Sequence, residues 1–426
     1  MINLIRNNKT FRLFFFADVV SGFGVGMGTV GGNWYMLEQT QSAQFVGFLL
    51  TVNVLAGFMI SPFAGFLIDK LNRKTIILLT YVFRAALLCL ILGIFYFAGF
   101  NLYIMYLYAV VNGIGWTVYL SASRSFIQEI LSHDNYTQGN SLVEISLQVG
   151  MFTAGAASGI IYQAAGFDLI LLINILTFVV SSGLVLLTSY SPNKGLTHEN
   201  REGLFLSFRH GFDYLRKRQS VLFLGVISII PLAVTMLYNV VLPPYVADVV
   251  KGNSVVFGAS DMSYGIGGLL SGLLVPMVSK RLRSKRTILC LYALSVVTLL
   301  FLGLNKISLI LFSGSLLLGL TNSGLRITIN SELMQKVDSR FMGRSMAFWN
   351  GLSLFIQIIG SSGIGIMINH IGAPFGFVIM CGLMSIGLIG YVIISRTPTP
   401  LVTEVPTTMQ NIENGGENET DTNGGT

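Results

Sequence analysis

The chain has 426 residues, of which 53% are hydrophobic and only 11% are charged, and its mean hydropathy is +0.70. Soluble domains carry about 25% charged residues, so this composition disfavours a soluble globular protein and favours a membrane protein with many spans. The formal net charge of +7 does not indicate nucleic-acid binding, because the cations lie in short segments between apolar runs.

About twelve apolar runs follow one another, each close to the roughly 20 residues that a membrane-spanning helix needs. We therefore predict an all-α membrane protein with two six-helix halves, at 1–190 and 220–396. A cytoplasmic linker at 191–219 joins the halves, and an acidic tail at 397–426 is expected to be disordered. The predicted spans lie near 12–36, 45–69, 75–97, 102–125, 140–165, 168–190, 220–245, 255–279, 286–304, 308–331, 341–369 and 373–395.

The loops between these runs alternate in charge. Cations cluster near 6–12, 70–74, 124, 194–218, 280–286, 336–344 and 396, whereas the other side has only Lys251 and Lys306. Because cytoplasmic loops carry an excess of Lys and Arg, both termini are predicted to lie in the cytoplasm. The linker is either a plain connection or contains a short amphipathic helix, with apolar residues at helical spacing: Leu204, Phe208, Phe212 and Leu215.

The first span, SGFGVGMGTVGGNWYM, contains six glycines. Small residues let helices approach closely, and we expect that role here in preference to making room for a substrate. Asn33, Trp34 and Tyr35 follow near its outer end. They are interpreted as an interfacial aromatic belt, with the wall of a cavity as the alternative.

Charged residues inside the spans are candidates for a proton or substrate pathway, because such residues are costly in lipid. Asp18, Glu144 and Asp261 are candidate proton carriers, with a position at the membrane interface as the alternative for each. Arg84 and Arg326 lie deeper and are predicted to face the interior and pair with an acid, whereas Arg124 is predicted to be interfacial. Uncharged polar residues within the spans are candidate cavity residues: Asn33, Trp34, Asn53, Asn112, Gln148, Asn239, Asn322, Asn350 and Gln357.

The stretch GFLIDKLNRKT, at 65–75, ends the second run with one carboxylate among cations. It resembles the motif G-x-L-x-D-(R/K)-x-G-R-(R/K) of major facilitator transporters, and the run 19–85 resembles the macrolide-efflux-like drug exporters among them. Asn72 replaces the usual Gly, and we expect the turn to survive because Asn tolerates the left-handed conformation. The residues that match in register are Gly65, Leu67, Asp69, Lys70, Arg73 and Lys74.

The resemblance implies the major facilitator fold and a latch in which Asp69 meets the start of the eleventh helix, at Gly343 and Arg344. It also implies proton-coupled efflux of hydrophobic or amphipathic small molecules by alternating access, in a monomer of the cell membrane that needs no cofactor or metal. The second half lacks a counterpart of Asp69, and Ala156 stands where many antiporters have Pro.

Three alternatives remain open at this point. The protein could carry an endogenous metabolite or a siderophore-like compound in either direction, or be a receptor or scramblase with this fold that does not transport. A membrane-embedded enzyme is the third, and it would need a cluster of catalytic residues at one depth that the sequence does not show. We therefore predict that the protein is not an enzyme.

Overall fold

A computed structural model of the protein describes residues 2–132, 136–189, 212, 215–216, 218–337 and 339–396. It does not extend to the side chains of 2–3, 65–70, 136–138, 140–141, 144, 339–341, 343–344 and 347. The predicted linker helix lies mostly outside the described residues, and the predicted tail lies wholly outside them.

The described chain is built from α-helices. A short α1 (Ile2–Asn7) precedes the spans of the first half, and a π-helical turn, Tyr245–Val249, follows α7. The bounds are α2 (Lys9–Thr40), α3 (Ala43–Lys70), α4 (Arg73–Ala98), α5 (Leu102–Ile130), α6 (Tyr136–Leu186), α7 (Gln219–Pro244), α8 (Ser254–Leu282), α9 (Ser284–Leu304), α10 (Ser308–Lys336), α11 (Ser339–Ile371) and α12 (Pro374–Arg396).

Helix α6 contains two of the predicted spans. Its apolar part, Ile145–Leu186, has 42 residues, about twice the length that crosses a bilayer. Gly166 interrupts the helical geometry with φ 72° and ψ −167°, a conformation that residues with a Cβ rarely adopt. The chain reverses there, so the eleven span-length helices of the described residues amount to twelve crossings.

Asparagine side chains cap the starts of several helices. Asn8 accepts a hydrogen bond from Phe11 N at 2.9 Å, and Asn72 accepts one from Lys74 N at 3.0 Å. Asn72 has φ −63° and ψ 127°, so the left-handed conformation predicted for it is wrong. The turn accepts Asn in place of the usual Gly because Asn72 has an extended backbone and caps the start of α4.

The glycines of α2 let it pack directly against α6. A Cβ placed on Gly26 would lie 2.6 Å from the carbonyl oxygen of Met151 and 2.8 Å from the Cβ of Ala154. Such distances are shorter than van der Waals contact, so this approach requires glycine. The predicted close packing of the first span is confirmed.

The aromatic residues after those glycines do not form a belt at the membrane surface. Trp34 is only 9% exposed and stacks on Phe257 of α8, with ring centroids 5.5 Å apart. Tyr35 stacks on Phe167 at 4.6 Å inside the first half. The belt interpretation is wrong, because both rings find aromatic partners in neighbouring helices.

One face of the bundle carries lysines that bind helix ends. Lys74 Nζ donates to the carbonyl oxygens of Leu186 at 2.9 Å and Thr188 at 2.7 Å, at the end of α6. Lys285 Nζ donates to the carbonyl oxygen of Ser395 at 2.6 Å, near the end of α12. A cation at a helix C-terminus is stabilised by the partial negative charge there. We call this side the basic face.

The two halves of the bundle meet towards the opposite face. Thr51 of α3 and Ser361 of α11 share a hydrogen bond of 2.7 Å, and Ser42 Oγ donates to Asn369 Oδ1 at 3.0 Å. On the other side of the bundle, Ser254 of α8 donates to the carbonyl oxygen of Gly159 in α6 at 2.9 Å. Hydrogen bonds and small residues therefore close this face.

Candidate functional site

A cavity of about 240 Å³ lies between the two halves, and we call it the central cavity. Helix α6 of the first half provides one wall through Gln148, and α8 and α10 of the second half provide the other. Its lining mixes polar, charged and apolar side chains, as small-molecule sites do. The lining residues are Gln148, Gly268, Leu269, Ser323, Arg326, Ile327 and Asn330.

Arg326 is the charged residue of this lining. Its side chain is exposed to the cavity, and among the described residues no carboxylate lies within ion-pair distance of it. The acid nearest to it along α10, Glu332, binds Lys336 at 2.7 Å and accepts from Tyr391 OH at 2.8 Å. The predicted acidic partner of Arg326 is therefore wrong within the described residues, because the local acid has other partners.

A buried polar network lies one turn from Arg326 along α10. Asn322 is 1% exposed, and its Nδ2 donates to Tyr264 OH at 3.2 Å and to Thr235 Oγ1 at 3.4 Å. Thr235 and Tyr264 also share a hydrogen bond of 2.8 Å. The network links α7, α8 and α10, and it fixes the wall of the central cavity. Sequence reasoning found Asn322 but missed Thr235 and Tyr264.

Arg84 faces the interior of the first half, as predicted, but its partners differ from the prediction. It is 1% exposed, its Nη2 donates to Asn112 Oδ1 at 2.8 Å, and its guanidinium lies 4.1 Å from the ring centroid of Phe178. Within the described residues no acid pairs with it. An amide and an aromatic face stabilise the cation instead.

Asp18 is fully buried between α2 and α6. Its Oδ2 accepts a hydrogen bond from Ser146 Oγ at 3.0 Å, and Tyr81 OH donates to the neighbouring Ser21 Oγ at 3.1 Å. Asp18 is therefore buried in the first half and is not exposed to water. Its role as a proton carrier stays a prediction.

Asp261 lies at the contact between the halves. It is half-buried on α8, and its Oδ2 would lie 3.0 Å from a Cβ placed on Gly155 of α6. Gly155 thus provides room for the carboxyl group where the two helices approach. Within the described residues, no cation lies at ion-pair distance from Asp261.

Three predicted cavity residues line a second, smaller cavity within the first half. Asn33, Asn53 and Asn112 surround about 60 Å³ of space between α2, α3 and α5. A third cavity, of about 370 Å³, lies towards the opposite face and is lined by Trp34, Glu38 and Asp248 among others. The other predicted positions differ in exposure: Asn239 and Gln357 are half-buried, and Asn350 and Arg124 are exposed.

The loop motif is only partly described. Arg73 pairs with Glu129 of α5 at 3.2 Å, and the Glu129 side chain is only 4% exposed. Sequence reasoning missed Glu129, although an acid at the end of a span on the cation-rich side was a usable signal. The side chains of Leu67, Asp69, Lys70, Glu144 and Arg344, and the surroundings of Gly65 and Gly343, are not described.

The sequence is similar to several transporters. It is 22% identical over 287 residues to the MFS-type transporter YvqJ of Bacillus subtilis, covering 65% of this chain and 68% of that one. It is 21% identical to the staphyloferrin A transporter of Staphylococcus aureus, with 63% and 67% covered. It is also 21% identical to macrolide efflux protein A of Streptococcus pyogenes, with 57% and 60% covered.

Solved structures show the same fold at low identity. A mutant of the nucleoside transporter NupG aligns with a TM-score of 0.72 at 13% identity, covering 90% of this chain and 99% of that chain. A bacterial homologue of the iron transporter ferroportin aligns with a TM-score of 0.71 at 15% identity, covering 91% and 99%. The predicted fold class is confirmed.

The family assignment rests on the whole length of the helical bundle. The family model described as Major Facilitator Superfamily matches residues 14–248 and 224–414. With the similar transporters and the helical fold, this match excludes the membrane-embedded enzyme considered from the sequence. The chain therefore belongs to the Major Facilitator Superfamily and is a multi-pass membrane transporter, not an enzyme.

Proposed function

We propose that the protein is a proton-coupled exporter of hydrophobic or amphipathic small molecules that works by alternating access. The observation that carries this proposal is the central cavity, which lies between halves that meet on one face through small residues, hydrogen bonds and the stacked pair of Trp34 and Phe257. Contacts of that kind separate at modest cost, as rocking of two halves around a midplane site requires.

The cations of the basic face support a cytoplasmic position for that face and for both termini. In this orientation the contacts at the opposite face close the outer side, and the central cavity is reached from the cytoplasm. We assign the rocking halves to 1–190 and 220–396, with 191–219 as the linker and 397–426 as a cytoplasmic tail. The protein would act as a monomer in the cell membrane.

The relatives support export of an amphipathic compound and also define the second candidate. One relative is named a macrolide efflux protein, which supports efflux of drug-like molecules. Another is named a staphyloferrin A transporter, which supports carriage of a siderophore-like compound instead. A susceptibility panel across drug classes, in a strain without its own efflux pumps, separates the two. Increased resistance to amphipathic drugs supports drug efflux, and unchanged resistance to every class contradicts it.

Asp261 is the carboxyl group that we assign to proton coupling. The closing contact between α6 and α8 accommodates it best when it is protonated, since no described cation compensates its charge there. We expect Asp261→Asn to reduce gradient-driven efflux by about tenfold or more while substrate binding persists, because the amide retains the shape but cannot gain and release a proton. Efflux is measured in energised cells with and without a protonophore.

Asp168→Asn is the matched control for this experiment, because Asp168 is exposed on α6 and away from the contact between the halves. It should leave efflux unchanged. If Asp261→Asn exports at the normal rate and remains sensitive to the protonophore, the coupling role belongs to another residue.

Asp69 is assigned to a latch with the start of α11, on the strength of the motif. A helix N-terminus carries partial positive charge and would stabilise a carboxylate in the state that is open to the outside. Asp69→Asn should therefore reduce transport by about tenfold or more, with normal insertion in the membrane. Transport and surface amount are measured together, and efflux at the wild-type rate rejects the latch.

A further inference from the structure

We propose that the central cavity selects substrates that carry an oxyanion, a carboxylate, sulfonate or phosphate group, and that Arg326 binds this group. The inference rests on the proposed function and names the substrate class of the same site. It follows from what surrounds Arg326 in the cavity between the halves.

The positive charge of Arg326 is costly in its position within α10. Arginine inside a membrane-spanning helix is expensive unless it is paired or faces water. Arg326 is exposed to the central cavity, so water can reach its charge while the cavity contains no substrate. A neutral or cationic substrate that filled the cavity would displace this water and leave the guanidinium without compensation.

Among the described side chains, which do not include that of Glu144 on α6, no acid compensates this charge. Glu332 is bound by Lys336 and Tyr391, and Asp261 lies two helical turns from Gly268 along α8, at the contact with Gly155. None of the described residues occupies the donors of this guanidinium, so they are available to a ligand. Its planar geometry matches an oxyanion through two parallel hydrogen bonds.

The other lining residues of the central cavity place polar and apolar groups beside Arg326. Ser323 and Asn330, on α10 one turn to either side of Arg326, supply a hydroxyl group and an amide group on the same wall. Leu269 and Ile327 supply apolar surface beside them. A cationic centre with adjacent polar groups and an apolar wall fits an amphipathic anion, whose charged group and hydrocarbon body would bind side by side.

Two fluorescent dyes with the same aromatic skeleton test this inference. Anilinonaphthalenesulfonate carries a sulfonate, and phenylnaphthylamine lacks it. Binding of each is titrated to the full-length protein in nanodiscs of phosphatidylcholine. We expect saturable binding of the sulfonate dye that Arg326→Gln weakens by about tenfold or more, the loss expected for a charge-assisted hydrogen-bonded pair. Arg326→Lys should restore part of that loss, and phenylnaphthylamine binding should not weaken.

Arg286→Gln is the control for the loss of one positive charge, because Arg286 is exposed near the start of α9, outside the cavity. It should not change the binding of either dye. The inference is overturned if the wild-type protein does not bind the sulfonate dye saturably, or if Arg326→Gln weakens both dyes equally. It is also overturned if phosphatidylglycerol discs abolish dye binding, since a lipid headgroup would then be the ligand.

Transport of the two dyes separates this inference from the proposed function. If neither dye moves under a pH gradient but Arg326 controls sulfonate binding, the oxyanion site stands and gradient-driven export fails. If phenylnaphthylamine is exported under the gradient and Arg326→Gln leaves the preference between dyes unchanged, export stands and the oxyanion site fails.

Discussion

Oxidation of a Thr51→Cys, Ser361→Cys double variant should stop transport almost completely, and a reductant should restore it. The two hydroxyl oxygens are 2.7 Å apart across the contact between α3 and α11. The disulfide sulfurs would need to approach to about 2.05 Å, which requires only a small adjustment at this spacing. The covalent bond would hold the outer face closed, so the protein could bind substrate from the basic face but not release it on the other side.

This experiment needs a background in which Cys89, Cys290 and Cys381 are replaced by alanine, so that only the introduced thiols react. Thr51→Cys and Ser361→Cys alone serve as controls, and oxidation should leave each of them active. Transport at the normal rate by a fully cross-linked protein would show that these halves do not separate during the cycle.

The second large effect is expected from Gly365→Val on α11. A Cβ on Gly365 would lie 3.0 Å from the carbonyl oxygen of Ala43 and 3.2 Å from the Cα of Gly47, both in α3. The valine side chain overpacks this contact, at a cost of about 2 kcal/mol, and shifts the populations by roughly thirtyfold away from the state that is closed on the opposite face. Transport should fall by a similar factor, because one of the two alternating states becomes rare.

Gly363→Val is the matched control, since a Cβ at Gly363 meets no atom of another helix within 4 Å and the residue lies on the same helix. It should transport normally, which separates the contact from a general effect of valine on helix α11. The populations are measured by labelling Ser361→Cys with a thiol reagent that does not cross the membrane. The proposed role of the contact is contradicted if Ser361→Cys is labelled as slowly in the Gly365→Val background as in the Gly363→Val background.

The sequence was sufficient to predict features that depend on local composition. Long apolar runs predicted the spans, and the glycines of α2 predicted a close helix contact. The form of the turn at Gly166 could not be predicted from composition. Polarity predicted a boundary between two spans, but this boundary is a single glycine with a positive φ within one continuous helical segment.

Features that depend on pairing between distant residues could not be predicted in the same way. Arg84 was expected to need an acid, but Asn112 and Phe178 stabilise it from α5 and α6. Trp34 has the residue type and the place in the sequence that are typical of a belt residue, yet it stacks on Phe257 of the other half. A single sequence shows that such residues need partners, and the tertiary fold decides which partners they find.

In the proposed function, proton entry drives the movement of an amphipathic compound through the central cavity. The most direct measurement is proton flux into proteoliposomes that contain the full-length protein and an internal pH indicator, with anilinonaphthalenesulfonate supplied on one side. We expect proton movement to begin only when both the dye and a pH gradient are present, and Asp261→Asn should abolish that movement. Dye movement that proceeds at the same rate with the gradient collapsed, and without any proton flux, would contradict proton-coupled transport.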